Sequence, residues 1–218
     1  MRSTASARTL IAFAGYVLGA VALYWGLPQH VPPAWTFSSG RTLWLGAPII
    51  AFLLPTATIV SDFLLRDLSV KHPIDKPNSA SGIAVYDAIM LRVTVFVIGV
   101  HTAVLIAVLG WLSQRSWAAV LVPLMLGFTM ISVGNLLPKT RPNLAIGIRT
   151  RHTLSDRALW MRVHRWAGHL TVACGAIIVL SAIALPRPVG PGMILLVAPA
   201  ALAATCVLLH VSKTYVHA

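Results

Sequence analysis

Residues 93–112 read Val-Thr-Val-Phe-Val-Ile-Gly-Val-His-Thr-Ala-Val-Leu-Ile-Ala-Val-Leu-Gly-Trp-Leu. The stretch contains one ionisable group, His101, and no Lys, Arg, Asp or Glu. A helix needs about 20 apolar residues to cross a bilayer core, because each residue advances about 1.5 Å. Only a helix satisfies every backbone group within such a segment. Residues 93–112 are therefore predicted to span a membrane. Five similar stretches accompany them: Thr9–Leu27, Thr42–Val60, Trp117–Leu137, Leu170–Leu185 and Met193–Val211.

Composition agrees. Of 218 residues 57% are hydrophobic and 10% charged, whereas soluble domains carry roughly a quarter charged residues. No intervening segment is long enough for a separate soluble core. The first stretch follows Arg2 and Arg8 as a signal peptide would. It outruns a typical signal core and ends on Tyr24-Trp25, an interfacial anchor, so it reads as an uncleaved span. Prolines 48, 55, 123 and 199 are tolerable, since neighbouring helices take up the freed backbone groups.

The net charge of +12 would suggest nucleic acid in a soluble chain, but basic residues accumulate in cytoplasmic loops of membrane proteins. Counted across the six spans, the seventeen Lys and Arg divide unevenly. Arg41, Arg115 and Arg187 fall on one side, and all the others on the opposite side with both termini. The expectation is an all-α polytopic protein of about six spans, N-in and C-in, in the cytoplasmic membrane. Anionic headgroups are its lipid partners, and no direct nucleic-acid binding is expected. The two long inner segments are 61–92, where Asp62, Asp67, Asp75 and Asp87 nearly balance the bases, and 138–169, with seven bases against Asp156.

The second inner segment carries the most specific pattern: Gly134-Asn135-Leu-Leu-Pro138-Lys139-Thr-Arg141-Pro142-Asn143, then Ile146-Gly147-Ile148-Arg149-Thr150. Proline and asparagine favour turns, and Gly147 between isoleucines suggests a close backbone approach. Asn135, placed near the end of the fourth span, is expected to be buried and paired. Thr153-Leu154-Ser155-Asp156 reads as a capping box with Thr153 as N-cap. The following helix is expected to be interfacial. One arc would carry Leu159, Trp160, Val163, Trp166 and Ala167, and the other Arg157, Arg162, His164, Arg165 and His169. The bases can simply contact headgroups; alternatively Lys139, Arg141, Arg149 and His164 form a platform for an anion or a partner.

This run, with Trp160 and His164-Arg165-Trp-Ala167-Gly168, resembles the SdpI family of immunity proteins against sporulation-delaying-type toxins. The resemblance is dense over about 35 residues and weaker through the next two spans. It implies a non-catalytic membrane protein that protects its cell from a membrane-active peptide toxin outside. It also implies a receptor role, holding a repressor protein at the inner face. Candidate motif and partner-binding residues are Asn135, Pro138, Lys139, Arg141, Pro142, Asn143, Gly147, Arg149, Thr150, Trp160, His164, Arg165 and Gly168. The family's usual Pro-Trp after Thr150 is replaced by Arg151-His152. A second likeness lies in Leu27-Pro28, Val31-Pro32 and Trp35 to Gly40, with Ala34 where a histidine is usual. On this reading residues 1–92 form an N-terminal two-span region and 93–218 a four-span region with the basic loop.

Other chemistries are weakly signalled. Lys139-x-Arg141-Pro142 with His164 is similar to part of a lipid-phosphatase signature, but its Ser-Gly-His element is absent. No carboxylate is expected inside a span, and no internal repeat suggests a transporter. His164 and His169 are five apart, the wrong spacing for two ligands on one helical face. No metal and no cofactor are expected. His101 is expected to be a neutral histidine between helices, and Cys174 and Cys206 lie in apolar segments without ligand spacing.

Overall fold

A computed structural model describes residues 2–26, 46–71, 80–109 and 115–184. The helices are α1 (Arg2–Trp25), α2 (Gly46–Lys71), α3 (Ala80–Val108), α4 (Arg115–Gly134), α5 (Arg151–Ser155) and α6 (Arg157–Ala184). A 3₁₀ turn, Leu137–Lys139, follows α4. Among the described residues five helices are long and apolar enough to cross a membrane, and the chain is an all-α, multi-pass membrane protein. The sixth stretch, Met193–Val211, lies outside the described residues, as do the Pro-rich segment 28–41 and Cys206.

Helices α1, α2 and α3 pack mutually, α4 pairs with α6, and α3 meets α4 between the two groups. The apolar seam of the first group is built from small residues. Gly19 of α1 lies against the Ala51 backbone, where an added Cβ would come 2.2 Å from the carbonyl oxygen. Ala22, Ala51, Leu105 and Leu109 continue it. Pro55 sits inside α2 and is buried against Gly15. The opposite face of α1 exposes Leu10, Phe13 and Val17, as a lipid-facing helix must. His101 of α3 is fully buried beside the Gly15 backbone.

Helices α4 and α6 approach more closely still. A Cβ on Gly168 would lie 2.7 Å from the Gly134 carbonyl oxygen, and one on Gly175 would lie 2.6 Å from that of Gly127. The two pairs are seven residues apart on each helix, so each pair occupies the facing side two turns on. Close backbone contact of this kind replaces the hydrophobic drive that lipid cannot supply.

Two expectations need correction. Segment 61–92 is no long loop, because α2 runs to Lys71 and α3 starts at Ala80. Asp62, Asp87 and Arg8 therefore belong to apolar helices, Asp87 and Arg8 buried and Asp62 largely so. Charges at a helix end do not stop a helix; they pair across helices and let it continue. The division at 92/93 falls inside α3. The amphipathic stretch and the fifth span form one continuous helix, α6.

Candidate functional site

The chain between α4 and α6 is folded down onto one face of α6. It begins at the close Gly134–Gly168 contact, where Pro138 also packs within 3.0 Å of a Cβ position on Gly168. The turn at Leu137–Lys139 is closed by the Thr140 amide and hydroxyl, both donating to the Leu137 carbonyl. Thr140 then receives a side chain from below. The indole N–H of the fully buried Trp160 donates to the Thr140 carbonyl and hydroxyl, each at 3.2 Å.

Asn143 ties the next turn. Its Oδ1 accepts from the Ala145 and Ile146 amides at 2.9 and 2.7 Å, and its Nδ2 donates to the Arg141 carbonyl. An asparagine side chain used this way mimics a backbone turn. The Arg149 guanidinium donates to the Leu144 carbonyl and closes the loop from the far side. Gly147 has φ +111°, which a side-chain-bearing residue rarely adopts, and a Cβ there would lie 2.2 Å from His164 Nε2. Conformation and space both require glycine.

His164 is the second pin. The Ile148 N–H donates to its Nε2 at 3.0 Å, and its Nδ1 lies 2.8 Å from the Trp160 carbonyl. An acceptor at Nε2 and a carbonyl at Nδ1 together define the neutral tautomer with the proton on Nδ1. The ring is fully buried and stacked on Trp160, centroids 3.9 Å apart with planes 17° from parallel. Two side chains one turn apart on α6 thus hold the loop at Thr140 and at Ile148.

The entry into α6 is a double start. Thr150 is the N-cap of α5, its hydroxyl accepting from the Thr153 amide while Thr153 answers the Thr150 amide at 2.9 Å. Thr153 is buried and also donates to the Ile148 carbonyl. The expected box with Thr153 as N-cap is three residues out of register. Asp156 instead has extended dihedrals, ends α5 and caps α6, its Oδ1 accepting from the Ala158 and Leu159 amides. A threonine that answers the Ile148 carbonyl is better placed at N3 than at N-cap.

The face of α6 is also turned relative to expectation. Leu159, Trp160, Val163, His164, Ala167 and Gly168 are buried, while Trp166 is 58% exposed beside Arg162 and Arg165. At about 100° per residue His164 stands only some 40° from Trp160 and Trp166 about 120° from it. Assigning histidine to the polar face hid that proximity. His164 lies buried beneath the loop and is no part of a surface platform. With both ring nitrogens bonded and the ring buried, it offers no free nitrogen for phosphoryl chemistry. Asn135 is exposed rather than buried, since α4 has ended one residue earlier.

The site residues therefore divide in two. Pro138, Asn143, Gly147, Thr150, Trp160, His164 and Gly168 build and pin the loop, in which Pro142 is buried. Lys139, Arg149 and Arg165 are exposed and Arg141 is half-buried; with exposed Arg151, Arg157 and Arg162 they form a basic rim around it. Among residues 139–169 the one acidic group, Asp156, is occupied in capping α6. No group of three His, Cys, Asp or Glu suited to a metal occurs among the described residues. The sequence reading missed the Gly127–Gly175 contact, whose signal was the seven-residue glycine spacing repeated in two spans. It also missed the position of Tyr86 and Met90 of α3, which pack with Leu65 against Ala145 and Ile146 of the loop.

Comparison with protein families points to the same segment. Residues 139–210 match the family model described as the SdpI/YfhL protein family. The chain is also 25% identical over 161 residues to the immunity protein SdpI of Bacillus subtilis (strain 168), covering 74% of this chain and 73% of that protein. No solved structure matches the chain. The pinned loop from Thr140 to Thr150 lies wholly inside the matched residues, and it is through residues 139–210 that the chain is similar to the SdpI/YfhL protein family.

Proposed function

We propose that this protein is a non-catalytic immunity protein of the cytoplasmic membrane that protects its cell from a membrane-active peptide toxin. The observation that carries the reading is the likeness to an immunity protein over 74% of the chain. It is supported by the coincidence of the matched residues 139–210 with a loop held by Asn143, Gly147, Thr150, Trp160, His164 and Gly168. The test is expression in a toxin-sensitive bacterium challenged with sporulation-delaying-type peptides. Survival above the empty-vector control is the expected result. No gain against any peptide of a panel, with the protein verified in the membrane, would reject it.

A second role, as a receptor that holds a repressor at the inner face, is favoured by the basic rim. Exposed Lys139, Arg149 and Arg165 project around a loop whose backbone is fixed, an arrangement suited to an acidic protein surface. Such charges act over about 10 Å at physiological salt, so recruitment should weaken as salt rises. Replacing Lys139 and Arg165 with glutamine should abolish co-fractionation of the repressor with membranes and leave toxin resistance intact. Unchanged recruitment in that variant would remove the rim from the mechanism. The anionic lipid headgroups of the same face are the competing ligands, at about 1 kcal/mol per base.

A further inference from the structure

Arg8 lies in the first apolar helix and is 1% exposed. Its Nη1 stands 3.3 Å from Asp62 Oδ1 on α2, and its Nη2 stands 3.1 Å from Asp87 Oδ1 on α3. One guanidinium thus joins three helices at a single point. Ionisable groups within spans are costly and persist where they are paired, and they mark function more often than scaffold. α1 also packs Gly15 and Gly19 against Pro55 and Ala51, and its Tyr16 stacks on Phe52 with the hydroxyl 2.5 Å from Thr56 Oγ1, while Leu10, Phe13 and Val17 on its other face are exposed. The charge cluster is the ionic contact among these.

The cluster is continuous with the family loop. Arg8 Cζ lies 5.8 Å from the centroid of the Tyr86 ring. Tyr86 is itself buried, and with Met90 and Leu65 it forms the apolar seat for Ala145 and Ile146. The same ring therefore touches the α1 cation and supports the loop. Asn143 and His164 make that loop stiff on either side of the seat, so its displacement has to be collective.

We propose that Arg8, Asp62 and Asp87 form a charge lock through which the position of α1 controls the seating of loop 140–150. A shift of α1 along its glycine face would draw Arg8 off one carboxylate, move Tyr86 and unseat Ala145 and Ile146. The three residues are positioning residues; none touches a ligand. The inference stands on geometry alone and is independent of the immunity reading.

Coupling between two sites is reciprocal, which supplies the test. Hydrogen exchange would be followed by mass spectrometry on the full chain in lipid nanodiscs. In Asp87→Asn, which keeps the side-chain shape, the amides of residues 145–148 should exchange at least about fivefold faster, the low end of measured site-to-site couplings. The α4–α6 glycine contacts should keep their protection. In Ile146→Ala, which leaves every charge in place, amides around Arg8 in α1 should exchange faster by a similar factor. Failure of either change, in variants with native helical content, would overturn the lock. A response confined to α1–α3 in Asp87→Asn would show a local anchor and nothing more.

Discussion

The three-helix group α1–α3 and the α4–α6 pair solve the same problem by different means. In the first, buried charges on three helices meet at one end and small residues fill the seam above them. In the second, glycine backbones touch at two levels and the polar contacts are displaced to the loop beyond the helix ends. Glycine contact is short in range and falls away with a fraction of an ångström. A buried ion pair is directional and strongly punished when one member is lost. The first group is thus built to respond to displacement, and the second to hold a fixed platform.

The comparison is broken most severely by Arg8→Ala. It leaves Asp62 and Asp87 without this cation and should cost about 3–5 kcal/mol, the usual penalty for removing one partner of a buried pair. Unfolding followed by circular dichroism in a graded detergent mixture should show early loss of α1–α3 with α4–α6 retained. Gly168→Val is the converse. Its Cβ meets the Gly134 carbonyl, and overpacking of this kind costs about 1–3 kcal/mol, here with early separation of α4 from α6. Gly147→Ala follows, at about 1–2 kcal/mol for the left-handed backbone alone, with increased proteolysis at the loop as its readout. Trp160→Phe removes the bonds to Thr140 and shrinks the fully buried ring stacked on His164; loss of the bonds alone should cost about 0.5–1.5 kcal/mol, without altering helix pairing. Arg162→Gln, on the exposed face, should stay within about 0.5 kcal/mol on the same unfolding curve.

Five of the expected spans were legible because long apolar runs mark them, and the loop after α4 because Pro, Asn and Gly each leave a local signature. What was not legible depended on partners. Asp62 and Asp87 looked like loop residues, since a sequence shows a charge beside an apolar run and not the Arg8 that meets it. His164 looked polar because imidazole ordinarily seeks water; here Ile148 and Trp160 replace the water at both nitrogens. Thr153 could cap or be capped, and only its bond to the Ile148 carbonyl chooses between the two.

The central claim is that a buried, neutral His164 pins the family loop by accepting the Ile148 N–H. Selective ¹⁵N labelling of histidine, with His164 assigned through His164→Gln, tests it in the membrane-embedded protein at neutral pH. The expected spectrum shows a protonated Nδ1 and a bare, hydrogen-bonded Nε2, with the Ile148 amide among the slowest in the loop to exchange. A protonated Nε2, in either the other neutral tautomer or the imidazolium, would contradict the account.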